Sequence, residues 1–184
     1  MGKLNSFTFI TLNGYYKGSN EDISWHRHDG GTAEYAIDSS SSGNILLFGR
    51  ITYEMMEQFW PTPQAYKMFP IVAENMNKAE KIVFSKTLMK VNWNNSRLIK
   101  ENMINEIKKL KQSSDNNMTL LGSGNILTQL SENGLIDEYQ IMIDPVAINK
   151  GTSIFEGISK ILKLVLTKTK IFENGVVLLF NKPA

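Results

Sequence analysis

The chain has 184 residues, 42% hydrophobic and 21% charged, with a formal net charge of +2, a pI near 8.7 and zero cysteines. That length and apolar content suit one globular domain with a sizeable core. The lack of cysteine excludes disulfides and thiolate metal sites and fits a reducing compartment. Lysines are spread along the chain rather than gathered into a stripe, so no footprint for nucleic acid is expected. No apolar run approaches the roughly 18 residues that a membrane span needs, and MGKLNSFTFITLNG lacks the pattern of a secretory leader. A soluble, cytoplasmic protein is the expectation.

Residues 4–12 alternate through Phe7, Phe9, Ile10 and Leu12 and predict a strand that stops at Asn13-Gly14. Irregular chain is expected up to residue 31, then a helix over 32–38 with Thr32 as its cap. NILLF, 44–48, is a continuous apolar run, as in a strand covered on both faces. A helix over 52–60 follows and ends at Pro61 and Pro63, and a loop leads to the strand KIVFS, 81–85. In ENMINEIKKLKQ, 101–112, one apolar face combines with early acids and late lysines, the charge order that complements a helix dipole. MTLL, 118–121, predicts a strand. Ile126, Leu127 and Leu130 mark the next helix, closed at Gly134, and EYQIMID, 138–144, is a strand ending before Pro145. Two last strands meet at Glu173-Asn174-Gly175, a hairpin signal. Strand and helix alternate to residue 144, predicting an α/β fold with a mainly parallel central sheet and an antiparallel hairpin at its edge.

Three of these strands hand over at their C-terminal ends to polar or glycine residues: Gly49-Arg50-x-Thr52, Ser85-Lys86-Thr87 and Gly122-Ser123-Gly124-Asn125. Glycines at a strand-to-helix turn let backbone approach a ligand, and the free N–H groups of a new helix favour an anion, usually phosphate. Arg50 and Lys86 add positive charge, so the three turns are expected to converge on one ligand with several phosphates. The dinucleotide fingerprint G-x-G-x-x-G is broken by Leu127, and too little chain follows Asp144 for a Rossmann fold.

HRHD, 26–29, holds both histidines but lacks the third and fourth ligands of a closed metal site, so no metal is expected. Asp137-Glu138 is read as the surface opening of a strand. The methionines, with Tyr53, Phe59 and Trp60, are read as core. No G-x-S-x-G elbow is present.

FGRITYE at 48–54, KIVFSKTL at 81–88 and the stretch 120–155 resemble the dihydrofolate reductase-like superfamily, and within it the RibD C-terminal domain family of riboflavin biosynthesis reductases. The resemblance implies one reductase-type domain that binds NADPH. By position, Gly49, Arg50 and Thr52 match the turn that contacts the cofactor's phosphates, and Ser85, Lys86 and Thr87 the turn that receives the adenosine end with its 2′-phosphate. Gly122, Ser123, Gly124, Asn125 and Ile126 match the turn whose helix holds the pyrophosphate.

Two departures stand out. Relatives read S-L-D-G where this chain has Thr11-Leu12-Asn13-Gly14, an amide in place of a carboxylate, and P-V-x-x-G-x-G becomes Pro145 to Gly151 with Asn149 at the first glycine. No deaminase motif H-x-E or P-C-x-x-C occurs. The expectation is hydride transfer to a small, heterocyclic, pterin- or pyrimidine-like substrate. Asp29, Glu34 and Asp38 are the candidate acids, and Asn13 and Trp25 the candidate substrate contacts. The rival expectations are a catalytically inactive dinucleotide-binding module and an oligomerising structural protein. A homodimer is expected from the sheet edge that the C-terminal hairpin leaves open.

Overall fold

In a computed structural model that describes residues 1–113 and 115–184, the first strand, β1 (Leu4–Thr11), turns at Asn13-Gly14 into a short strand, β2 (Tyr15–Gly18). Gly14 takes φ +87° and donates its N–H to Thr11 O at 2.9 Å, a conformation that glycine adopts without steric cost. Helix α1 (Thr32–Ser40) leads to β3 (Ile45–Gly49), which passes without a loop into α2 (Arg50–Phe59). Two further helices, α3 (Pro63–Met68) and α4 (Pro70–Lys78), precede β4 (Lys81–Phe84) and β5 (Ser96–Ile99). Then come α5 (Met103–Ser113), β6 (Met118–Leu121), α6 (Gly124–Glu132), β7 (Glu138–Asp144) and β8 (Gly151–Ser153). The hairpin of β9 (Leu164–Ile171) and β10 (Val177–Pro183) closes the described chain.

The main sheet runs β5-β4-β3-β6-β1-β7-β10-β9, with its first six strands parallel and β10 antiparallel to both of its neighbours. This is the α/β architecture with a mostly parallel sheet and an antiparallel edge hairpin that the alternation predicts. One face packs Leu4, Leu47, Met118 and Leu120 under Ile107 of α5 and Leu127 and Leu130 of α6. The other packs Phe48 and Val83 with Tyr53 of α2 and Met76 of α4, and Phe7 and Phe9 with Tyr35 of α1.

Strand lengths position the site. β6 pairs with β1 only as far as Phe7↔Leu121, whereas β7 follows β1 to Thr11↔Asp144. The paired ends of β1 and β7 therefore stand about 13 Å beyond the turn that ends β6.

Five elements differ from the sequence reading. β2 and β5 are four residues each and β8 is three, too short for their alternation to register, and the expected loop before β4 is α3 and α4, each starting on a proline. Thr32 is not the cap of α1. Gly31, at φ +88°, holds that position, and the Thr32 hydroxyl donates back to Asp29 O at 2.6 Å. Asp137 does more than open a strand, since its carboxylate accepts the Leu4 N–H at 2.7 Å and pairs with Lys111. Among the described residues no helix is long and apolar enough to cross a membrane.

Lys81 begins β4 fully buried. Its ammonium donates to Asn77 O, Ala79 O and Asn94 O at 3.1, 2.7 and 3.0 Å and lies 4.5 Å from the centre of the Trp93 ring. It thus satisfies carbonyls at the end of α4 and in the segment before β5, while burial pushes its pKa down to about 8. Lys81→Met strands three carbonyls and is expected to cost ~3 kcal/mol in denaturant unfolding at neutral pH. The folded chain releases this proton near pH 8 and an unfolded lysine near 10.5. The unfolded state therefore binds the extra proton between those values, and wild-type stability should rise relative to the variant across that window.

Candidate functional site

The ends of β3, β4 and β6 share the C-terminal edge of the sheet, where a cleft of about 240 Å³ opens. Two helices begin at it. Gly49 (φ −83°, ψ 166°) precedes α2 and Ser123 (φ +60°, ψ 62°) precedes α6, and neither helix has a side-chain cap. Ser123 instead serves the neighbouring turn: its Oγ accepts the Gly49 N–H at 2.8 Å and donates to Thr52 Oγ1 at 3.0 Å. Gly122 (φ +56°) donates its N–H to Phe7 O at 3.1 Å, which ties the same turn to β1. A Cβ on Gly49 would lie 3.0 Å from that serine oxygen, so the two turns fit only with glycine there.

Of the residues singled out in the sequence, Gly49, Arg50, Thr52, Ser85, Ser123, Gly124, Asn125 and Ile126 line this cleft. Gly122 lies behind it, where a Cβ would meet Thr52 Oγ1 at 3.4 Å. Lys86 and Thr87 are exposed beyond it, and the Ser85 hydroxyl accepts the N–H groups of Thr87 and Leu88 at 3.2 and 3.0 Å. Arg50 is half exposed and paired with Glu54 at 3.1 Å.

Three lining residues escape the sequence reading because they lie on or just after the short β2. Tyr16 covers the start of α6, its ring 2.9 Å from where a Cβ of Gly124 would sit. Lys17 binds both carboxylate oxygens of Glu21, at 2.8 and 2.6 Å. Burial is the largest single influence on the Lys17 ammonium and works against it, but the hydrogen bond to Glu21 together with the interactions with Tyr16 and the Glu21 charge outweighs it and holds the pKa above the usual lysine value.

A second cluster surrounds the projecting ends of β1 and β7. Asp144 is fully buried, and its two oxygens take the Arg27 N–H at 3.0 Å and His26 Nδ1 at 2.8 Å. The His26 ring stacks on Phe9 at 4.0 Å between centres and 5° between planes. Trp25 stands edge-on to both, and His28 continues the aromatic run to Phe69. Burial, and then the neighbouring His26, push the His28 pKa below the ordinary imidazole value.

The remaining candidates occupy other surroundings. Asn13 donates to Ile148 O at 2.8 Å and accepts the Ile148 N–H at 3.2 Å, a pairing in which a carboxylate could not donate. Asp29 accepts from the Asn174 side chain at 2.9 Å in the C-terminal hairpin turn. Glu34 and Asp38 lie exposed on α1. Among the described residues no group of three or more His, Cys, Asp or Glu is placed to hold a metal.

The sheet order, the edge hairpin and the cleft between two helix starts define an α/β protein with the dihydrofolate reductase-like fold. The family model described as RibD C-terminal domain matches residues 2–178, and the chain belongs to that family. It is 26% identical over 168 residues to the uncharacterized protein YyaP of Bacillus subtilis, covering 91% of this chain and 88% of the other. Two solved structures share the fold. A pyrimidine reductase-like protein from Corynebacterium diphtheriae matches with a TM-score of 0.70, 13% identity and coverage of 100% of this chain and 92% of its own. A dihydrofolate reductase from Enterococcus faecalis, complexed with NADP(H), matches with a TM-score of 0.67, 14% identity and coverage of 99% and 96%.

Ser123→Ala removes the acceptor of the Gly49 N–H together with the link to Thr52. The expected outcome is a loss of about 1–3 kcal/mol in denaturant unfolding, with Ser123→Thr recovering part of it.

Proposed function

We propose that the chain is an NADPH-dependent reductase, acting as one domain over residues 1–184, that delivers hydride to a small flat heterocycle of the pterin or pyrimidine kind. The carrying observation is that two helix N-termini without side-chain caps, those of α2 and α6, open on one cleft and are locked together by the Ser123 hydroxyl. Each such end carries about half a positive charge and free N–H donors, a pairing suited to the two phosphates of a dinucleotide. A Cβ on Gly49 would press on Ser123 and Ile126, so glycine there lets the two uncapped helix starts line one cleft, and the residues present fit the group.

In this reading the amides from Arg50 to Thr52 and from Ser123 to Ile126 hold the pyrophosphate, with Arg50 adding charge. Ser85, Lys86 and Thr87 receive the adenosine end and its 2′-phosphate. When bound, the reduced nicotinamide supplies a hydride. The protein's own part is to orient the acceptor and keep water from it, and the aromatic run from Trp25 through His28 to Phe69 offers flat faces for stacking. Family membership and the shared fold with a reductase solved with NADP(H) support the reading. The proposed setting is the cytoplasm.

One observation favours a second reading, a dinucleotide-binding module without catalysis: the amide of Asn13 is committed to the backbone of Ile148. Fluorescence titration with NADPH, then its absorbance decay with dihydrofolate and with pterin or pyrimidine imines, separates the two. Turnover supports the reductase, binding without turnover supports the module, and no binding overturns both. Lys86→Gln is expected to weaken NADPH about tenfold and leave NADH unchanged, whereas Arg50→Gln should weaken both.

The edge strand β9 exposes Val165, Leu166 and Ile171. We place a second copy of the chain against it, and light scattering at micromolar concentration is expected to give the mass of a dimer.

A further inference from the structure

We propose that His26, poised by Asp144, is the acid that protonates the nitrogen of the heterocycle as its neighbouring carbon is reduced; this rests on the reductase reading above. Asp144 is fully buried, so its negative charge needs a partner, and it has two: the Arg27 N–H at 3.0 Å and His26 Nδ1 at 2.8 Å. A carboxylate can only accept. Nδ1 therefore carries the proton, and Nε2 is left as the ring's exchangeable site. Stacking on Phe9 at 4.0 Å fixes the plane of the ring, and Phe9 sits on β1 two residues past the level at which the β6 turn binds that strand. The imidazole thus stands on the same sheet edge as the cleft, farther out along β1, the side toward which a dinucleotide with its adenosine end at Ser85 and its phosphates at Ser123–Ile126 would carry its other end.

The other acids of this region are engaged elsewhere: Asp29 holds Asn174, and Glu34 and Asp38 face solvent. The groups that bear on the charge of His26 are few. Asp144 faces it from β7, His28 lies 4.7 Å away ring to ring with Asp29 beyond it, and β1 presents the apolar ring of Phe9. The Arg27 guanidinium turns away to Asn174 O.

The step balances simply. The bound cofactor would supply a hydride, with its electron pair, to the carbon. The C=N π pair moves to nitrogen and takes the proton from His26 Nε2. The imidazolium becomes neutral, keeps Nδ1–H on Asp144, and takes its next proton from water.

The test uses wild type, His26→Asn and Asp144→Asn. The asparagine amide can keep the donor to Asp144 but has no site to give up a proton. With NADPH and an acceptor from the panel above, His26→Asn is expected to bind NADPH as wild type does and to lose about 100-fold or more in kcat, together with the alkaline fall of the rate. Asp144→Asn should move that alkaline fall to lower pH, because the imidazolium loses its counter-charge, a shift that a merely structural role would not produce. Independently of turnover, NMR of the chain's two histidines should show the His26 ring Nδ1-protonated when neutral.

His26→Asn with the wild-type rate and profile, or a ring that is Nε2-protonated when neutral, overturns this proposal alone. NADPH binding with no turnover by wild type on any acceptor overturns it together with the reductase reading. If His26→Asn fails to fold, the NMR result and the Asp144→Asn profile decide.

Discussion

The hydroxyl of Ser123 brings two helix N-termini to one place. Helices α2 and α6 follow different strands, and the partial positive charges at their starts oppose close approach. One hydroxyl resolves this by accepting the Gly49 N–H and donating to Thr52 Oγ1, so the turn of β6 cannot move without the turn of β3. Ser123 reaches both partners only from a left-handed backbone at φ +60°, which the flanking glycines make sterically possible. The resulting cleft is left with donors that no side chain caps, an arrangement that favours an anion. Prearrangement of this kind favours binding, because the ordering cost is met during folding rather than at each encounter.

The unequal strand lengths carry the argument outward. Because β1 is held by β6 only to Phe7 and by β7 to Thr11, the last turn of the β1–β7 pair stands clear of the other four parallel strands. Side chains on that projecting pair, with the loop from Trp25 to His28 against it, form a cluster separate from the cleft at Gly49 and Ser123. The position of Asp144 opposite Thr11 follows from register alone.

The sequence made the sheet and its ligand edge legible because each long strand announced itself by apolar runs and each turn by glycine or hydroxyl residues. The convergence of Gly49, Ser85 and Ser123 followed from topology, since parallel strands end on one edge. What stayed hidden depended on short elements and long-range pairs. Tyr16 covers Gly124 from a four-residue strand with too little alternation to read. Pro63, read as a breaker, starts a helix, and so does Pro70 in the stretch read as a loop, because a proline at the first helical position gives up no needed hydrogen bond. His26 and Asp144 are far apart in the chain, and nothing local to HRHD indicates that its first histidine meets a buried carboxylate.

The two departures of this chain from its relatives' turn pattern are physically connected. At residue 13 an amide replaces a carboxylate, and the structure shows why an amide suits the place: it must donate to Ile148 O as well as accept from Ile148 N–H, which a carboxylate at neutral pH cannot do. That staple holds the loop after Pro145 against the β1 turn, and the Leu12 N–H, donating to Val146 O at 2.7 Å, reinforces it. The loop so fixed begins at Asp144. Carboxylate charge absent from the exposed turn at Asn13 is thus present on the adjacent strand, where burial makes an unpaired anion costly and an imidazole partner strongly favourable. Asp144 is held there by the Arg27 N–H and by His26 Nδ1 rather than by solvent.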